Sequence, residues 1–226
     1  MTPTTSQDTR QRLIEAAIFT FAEKGFEGAG IREIARRAKA NSALVQYYVE
    51  SKEGLYLAAM EYFFTQCPTT VPTLPPPPAP DAPHAQVEAA RSLRRYIRAF
   101  LDDLFLKHEV IGHTKEMNTA AHLFWIREIH EREPVPERMA LMRQYLRPYS
   151  DYMRACLLAL CPHLDQEALF LAGSSLIAQI LYFHRDRAII TLLRGKPYGP
   201  ADIESLSRHI ATFSFRGLGL PEDLGA

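Results

Sequence analysis

The stretch AKANSALVQYYVESKEGLY, residues 38 to 56, decides how this chain is read. Its middle is almost uncharged, and two adjacent tyrosines, Tyr47 and Tyr48, precede a lone Lys52. Asn41 is a good N-cap for a short helix of about eight residues, and Ser51 for a following helix that reaches about Gln66. Just upstream, IREIARRA places Ile31, Ile34, Ala35 and Ala38 on one helical face and Arg32, Arg36 and Arg37 on the other. Before that, Leu13, Ile14, Ala17, Ile18 and Phe21 form an apolar stripe over residues 7 to 24, which Gly25 ends. Three short helices with a tight link, Lys39-Ala40-Asn41, between the second and third are the layout of a helix-turn-helix. In that motif the third helix enters the DNA major groove and the preceding one braces it.

The spacing can be carried further. If Val45 and Val49 face the core, then Ser42, Ala43, Gln46 and Tyr47 must face outward. Gln46 suits a bidentate contact to adenine, Ser42 a base edge or phosphate, and Ala43 and Leu44 a thymine methyl. Tyr47 and Tyr48 present hydroxyls on stiff rings to phosphate oxygens. Lys52 opens the next helix, where its ammonium and the free backbone N–H groups favour a phosphate together. The tyrosines and the lysine would position the chain, and the start of the helix would read sequence. A plainer reading competes: two tyrosines half-buried in a core, and Ser-Lys-Glu as an ordinary cap.

The longer stretch RLIEAAIFTFAEKGFEGAGIREIARRAKANSALVQYYVESKEGLY favours the DNA reading. Residues 10 to 56 resemble the DNA-binding domain of the TetR family of bacterial transcription regulators. The matching positions are Ala16-Ala17, Phe21, Gly25-Phe26, Ile34-Ala35, Tyr47, Lys52, Glu53 and Leu55. The form N-x-A-x-x-x-Y-x-x-x-S-K-E-G-L-Y is similar to a subgroup that includes the CecR-like regulators. The resemblance implies DNA contacts at Arg32, Ser42, Ala43, Leu44, Gln46, Tyr47, Tyr48 and Lys52. Four residues depart from it. Ala29 and Gly30 stand where the family usually has a threonine that caps the second helix. Val49 replaces the more usual phenylalanine, and Lys39 the usual turn glycine.

The remainder sets the context. A chain of 226 residues is long enough for a sizeable core, and 47% hydrophobic content is that of a globular protein. Its formal net charge of zero argues against bulk polyanion binding but hides local distribution. Three cysteines, Cys67, Cys156 and Cys161, with no paired spacing imply no disulfide framework and a cytoplasmic home. The start MTPTTSQDTR has no apolar run of the signal-peptide kind. ALFLAGSSLIAQILYF, from Ala168 to Phe183, is short for a membrane span of about 20 residues and holds polar side chains, so no membrane partner is expected.

No stretch alternates like a strand, so the expected fold is all-α with about nine helices. The expected division is a helix-turn-helix domain over 1–52, a connecting helix over 53–66, a proline-rich loop over 67–85 and a helical domain over 86–226. Half of the 16 prolines lie at 68, 72, 75, 76, 77, 78, 80 and 83, which rules out helix or central strand there. Further helices are expected over 86–107 and 114–132, from about Pro136 to Leu160, from about Asp165 into the 180s or 190s, and after Pro200.

FWIREIHEREP, YLRPYSDYM, AGSSLIAQILYFHRDRAI and IESLSRHIATFSFRGLG also resemble the CecR-like C-terminal domain, more loosely. That resemblance implies a homodimer through the last two helices and a pocket for a small-molecule effector. For the dimer, Gly173, Ser174, Ser175 and Ala178 are small, and Leu176, Ile177, Ile180 and Leu181 are apolar. The interface candidates are Gly173, Ser174, Ile177, Ala178 and Leu181. The pocket candidates are Phe100, Leu104, Trp125, Tyr149, Tyr152 and Phe183, with His122, Arg127 or Glu128 nearby in sequence. Each aromatic could equally be plain core.

Catalysis finds little support. His108 and His113, and His122 and His130, do not have zinc-ligand spacing, and there is no phosphate loop or G-x-S-x-G. No metal and no cofactor are expected. The reading is a dimeric regulator released from a palindromic double-stranded operator by its effector, with the helix from Glu53 to Gln66 as lever. Two alternatives stay open: a DNA-binding dimer without ligand response, and an interaction module docking through the proline-rich loop.

Overall fold

The computed structural model describes residues 6–66, 71–105, 114–131 and 135–225. Cys67, Pro68, His108 and His113 lie outside the described residues, as do the side chains of Val45, His122 and His130. Among the described residues there are ten α-helices and no strand, as the periodicity implies. They are α1 (Ser6–Gly28), α2 (Ile31–Arg37), α3 (Ser42–Val49), α4 (Lys52–Gln66), α5 (Ala85–Phe105), α6 (Lys115–Glu131), α7 (Pro136–Leu160), α8 (Gln166–Arg185), α9 (Arg187–Arg194) and α10 (Ile203–Gly217).

The tenth helix arises where one helix from about Asp165 was expected to continue into the 180s or 190s. At Asp186 the backbone turns to φ −96°, ψ 35°, which ends α8 and starts α9. Asp165, about where α8 was expected to begin, caps it, its carboxylate accepting from the Ala168 N–H at 2.8 Å. Gly25, at φ 69° and ψ 177°, leaves helical geometry as expected, and a short further turn across this kink carries α1 to Gly28.

The chain forms two compact units, Met1–Pro68 with Glu109–Tyr145, and Thr69–His108 with Leu146–Ala226. Thus α6 and the first part of α7, within the segment read as one domain from 86 to 226, pack with the N-terminal helices.

In the first unit the expected stripe of α1 is buried throughout: Leu13, Ile14, Ala17, Ile18 and Phe21. Opposite it on α6 lie Met117, Ala120, Ala121 and Phe124. Alanines on both helices, Ala16 and Ala17 against Ala120 and Ala121, permit close approach. Phe124 and Phe21 both pack on the Tyr56 ring, with centroids 4.9 and 4.8 Å away. Burying one such aromatic contributes about 1.5–3 kcal/mol.

In the second unit, α5 turns Ala89, Leu93, Tyr96 and Ile97 inward, a helical spacing, against Cys156, Leu157 and Leu160 of α7. Leu176 and Ile180 of α8 and Leu206, Ile210 and Phe215 of α10 complete the core. By length and composition α8 is apolar enough to cross a membrane. Here it buries one face, Leu169, Gly173, Leu176 and Ile180, and exposes Phe170 and Leu171 on the other.

Candidate nucleic-acid interface

The corner between α2 and α3 is built by the backbone. Lys39 adopts φ +52°, the left-handed region that glycine would occupy more cheaply, at a cost of about 1 kcal/mol. The Ala40 N–H then donates to the Ala35 carbonyl at 2.9 Å and closes α2. Asn41 caps α3, its side chain accepting from the Ala43 N–H at 2.9 Å. Gly30 caps α2 through its carbonyl alone, which accepts from Glu33 and Ile34 at 3.1 Å.

This geometry turns Ser42, Ala43, Gln46 and Tyr47 to solvent, the set expected from the spacing, with Tyr47 76% exposed. Val49 is buried beneath them. Leu44 and Tyr48 are half-buried and pack against the core of the unit, so each shares its surface between core and solvent. The Tyr47 and Tyr48 rings meet edge to face at 5.0 Å. Arg32 is exposed on α2.

The junction of α3 with α4 is tight. A Cβ on Gly54 would lie 2.1 Å from the Val49 carbonyl oxygen, so only glycine fits. Sequence reasoning quoted Gly54 inside its motif and missed this role, which Ser-Lys-Glu-Gly spacing alone does not reveal. The Gly54 N–H donates to Ser51 Oγ at 2.9 Å, the cap anticipated for α4. Lys52 Nζ donates to the Glu27 carbonyl at 3.2 Å and sits 4.5 Å above the Phe26 ring. The ammonium is thus held against the end of α1, poised beside the corner.

Two ion pairs brace α2 on α1. Arg37 donates to both Glu23 oxygens, at 2.8 and 2.9 Å, and holds that carboxyl below the usual range. Lys24 reaches Glu33 at 2.6 Å. Both are exposed and contribute at most about 1 kcal/mol each.

The residues expected to line a pocket fall into three groups. Trp125 lies in the first unit, stacked on Phe63 at 5.6 Å and edge-on to Phe64 at 5.1 Å. Phe64 in turn stacks on Tyr145 at 4.6 Å. In the second unit Phe100, Tyr149 and Tyr152 gather around Tyr96, with Leu104 half-buried on the same helix as Phe100. Phe183 is apart from them in its ring contacts, between Tyr182 and Tyr198 at 5.6 and 5.1 Å. Tyr96, Phe63, Phe64 and Tyr145 were not anticipated; their apolar helical positions carry no mark that separates a site from a core.

Of the nearby polar residues, Glu128 is buried. It accepts from the Tyr56 hydroxyl at 2.6 Å and faces Arg138 Nη1 at 3.5 Å. Arg138 Nε lies 3.3 Å from Glu53 Oε1, close enough for charge attraction but not aligned as a hydrogen bond.

On α8, Ser174 and Ala178 are exposed and Ile177 and Leu181 half-buried. Gly173 instead faces inward, where a Cβ would lie 2.7 Å from Met153 Cε. Leu176 and Ile180, which the apolar run offered to a partner, are likewise buried within the unit. Exposed apolar residues of the last helices include Phe170 and Leu171 of α8 and Phe213 of α10, at 68%, 55% and 60%, and Ile189, Leu192 and Leu193 of α9.

A braced corner that presents a small polar helix face to solvent defines a helix-turn-helix protein. Residues 13–59 match the bacterial regulatory proteins of the tetR family, and residues 90–218 match the C-terminal domain of the HTH-type transcriptional dual regulator CecR. The chain therefore belongs to the TetR family, in the group with a CecR-type C-terminal domain. It is 36% identical over 56 residues to the HTH-type transcriptional repressor NicS of Pseudomonas putida, 25% of this chain and 26% of that protein. The match thus spans about a quarter of that relative. Among solved structures, the hemolysin II transcriptional regulator HlyIIR superposes with a TM-score of 0.55 at 18% identity, over 91% of this chain and 98% of that one. AibR, solved with isovaleryl coenzyme A and operator DNA, gives 0.54 at 15% identity, over 91% and 97%. These two likenesses carry the fold alone.

Proposed function

We propose that this protein is a homodimeric, DNA-binding transcriptional regulator, a repressor that a small-molecule effector releases from a palindromic operator. The observation that carries the reading is the outward face of α3, with Ser42, Ala43, Gln46 and Tyr47 exposed beside a left-handed turn. Gln46 reads a base, Ser42, Ala43 and Leu44 fit the groove, and Arg32, Tyr47, Tyr48 and Lys52 hold phosphates. Lys52 exchanges the Glu27 carbonyl for a phosphate oxygen when DNA arrives, a stronger, charge-assisted partner.

The dimer forms through α8 and α10. Phe170, Leu171, Ala178 and Phe213 supply its exposed apolar area, with the small Ser174 among them and Ile177 and Leu181 at its edge. Two-fold symmetry then sets two α3 helices on one DNA face. The effector shifts a pre-existing equilibrium in their spacing, by a coupling of about 1–3 kcal/mol. AibR, a relative by fold, was solved with both an acyl coenzyme A and DNA, which makes such a pairing of ligands a natural one for this chain. In this reading the protein works in the cytoplasm and catalyses nothing.

The test is fluorescence anisotropy of the purified protein with the DNA upstream of its own gene, against scrambled DNA, at about 150 mM salt. Nanomolar affinity with a preference above about 10³ supports the reading. Equal and weak binding to both, and to duplexes selected from a random pool, would refute it.

A further inference from the structure

We propose that Arg138 is a positioning residue for DNA binding: through Glu53 it fixes the first turn of α4, and with it the Lys52 ammonium and the corner between α3 and α4. This role rests on the DNA-binding reading above and belongs to a residue outside the helix-turn-helix itself.

A buried arginine needs a reason. Arg138 is 2% exposed in the first turn of α7, and its guanidinium faces carboxylates from two other helices. Nε lies 3.3 Å from Glu53 Oε1 on α4, and Nη1 lies 3.5 Å from Glu128 Oε2 on α6. The same guanidinium is 5.7 Å from the centre of the Tyr56 ring, one turn beyond Glu53 on α4. Apolar side chains of similar volume often hold such a place at least as stably, because burying charge costs solvation that pairing only partly returns. A planar guanidinium adds direction, since its fork engages carboxylates only in a narrow range of placements.

The grip falls on one face of α4. Glu53 and Tyr56 are three residues apart and share that face. Tyr56 donates to Glu128 at 2.6 Å, so α4 is tied at two successive points to groups that meet at Arg138. Glu53 is half-buried. An acid in the first turn complements the helix dipole from an exposed rotamer as well, so capping alone does not call for a buried cation opposite it.

The first turn of α4 in turn fixes the corner. Lys52 immediately precedes Glu53, and its Nζ is held at the Glu27 carbonyl, 3.2 Å away, above the Phe26 ring. At Gly54 a Cβ would lie 2.1 Å from the Val49 carbonyl oxygen, so there is no slack between α3 and α4. A rotation of the first turn of α4 therefore displaces both the ammonium and the end of α3, whose outward face carries Gln46 and Tyr47. Arg138 acts on DNA without touching it. Glu53 is itself an acid beside a lysine that holds phosphate, where its charge alone would repel DNA. Its pairing with Arg138 accounts for an acid at that place.

The experiment uses the full chain and a duplex of random sequence at about 50 mM salt, because a phosphate contact does not depend on sequence. Glu53→Gln keeps the shape of the side chain and removes its charge. By charge alone it would tighten binding. Positioning predicts the opposite: binding about fivefold weaker, with the salt slope reduced by about one, as in Lys52→Ala. In the Lys52→Ala background Glu53→Gln costs nothing further, and the same holds in Arg138→Gln. A merely structural role lowers Tm and leaves the salt slope of the folded protein unchanged. Equal or tighter binding by Glu53→Gln, an unchanged slope, or a full second loss in either background overturns the role. Where Arg138→Gln does not fold, Arg138→Lys, which keeps a cation without the fork, takes its place. The Glu53→Gln loss should shrink there, and a loss of the original size overturns the role. If the unaltered chain binds no duplex, the regulator reading falls as well; if it binds and these differences are missing, only the positioning role falls.

Discussion

The Tyr56 hydroxyl donates to Glu128 Oε2 at 2.6 Å, joining α4 to α6 where both residues are nearly out of solvent. Arg138, 2% exposed, faces the same carboxylate. Removing one member of such a group leaves charge buried without its partner. Glu128→Ala is expected to cost about 3 kcal/mol or more, and Tyr56→Phe about 1.5–3 kcal/mol. Urea unfolding read by Trp125, the single tryptophan and a member of the same unit, measures both. A loss below about 0.5 kcal/mol in each would show that the group is solvated in solution.

Gly54 and Gly30 make a matched pair of tests. Gly54→Ala drives a methyl onto the Val49 carbonyl, so a loss of about 1–3 kcal/mol and weaker DNA binding are expected. Gly30 has nothing within 4 Å of its Cβ direction. Gly30→Ser there adds an N-cap acceptor and is expected to be neutral or to stabilise α2 by a few tenths of a kcal/mol. Thermal melts of the two variants should move in different directions; a shared loss would mean that the α3–α4 junction is not the tight point.

On DNA, Gln46→Ala is expected to relax base preference at one position while sparing non-specific affinity. Lys52→Ala should weaken every duplex alike and reduce the salt slope by about one. Anisotropy titrations across salt separate the two. Equal losses on operator and random DNA for both variants would contradict the division of labour.

Cys156 supplies a pH test. Its thiol is raised from an ordinary value of 9.0 to about 12 by burial. The unfolded chain therefore releases this proton first as pH rises. The thiol's share of stability is whole below pH 9 and is lost progressively towards pH 12. Alkylation mapped by mass spectrometry at pH 8 should leave Cys156 and Cys161 unmodified until urea unfolds the chain. Rapid labelling of Cys156 in the folded protein would refute the burial.

For assembly, Phe213→Asp places a charge on the exposed face of α10 and should convert a dimer to monomer in sedimentation equilibrium. Operator affinity should fall with it. A dimer that survives both Phe213→Asp and Leu171→Asp would require another interface.

The N-terminal corner was legible because its signals are local. Asn41, Ser51 and Lys39 act on their own neighbours, so capping and turn chemistry reveal them from the sequence. The outward face of α3 followed from spacing alone. Gly173 was misleading for the opposite reason: a small residue permits close approach, and nothing local says whether the neighbour is Met153 or another chain. The same limit hid Tyr96, whose role depends on rings more than fifty residues away, and Arg138, which is unremarkable until Glu53 and Glu128 converge on it. The break at Asp186 falls in the charged stretch from His184 to Arg187, which follows the apolar run and would suit the middle of one long helix as well as a junction of two.

The packing of Phe124 against Phe21 and Tyr56 bears on how this protein can be re-engineered. Grafting its operator-reading head onto another regulator by joining chains at residue 66 would leave α1 and α4 without Met117, Ala120, Ala121 and Phe124, and strip one wall from their core. The transplantable piece is discontinuous: it includes residues 109–145 as well as the first 68. A working hybrid would carry three seams rather than one.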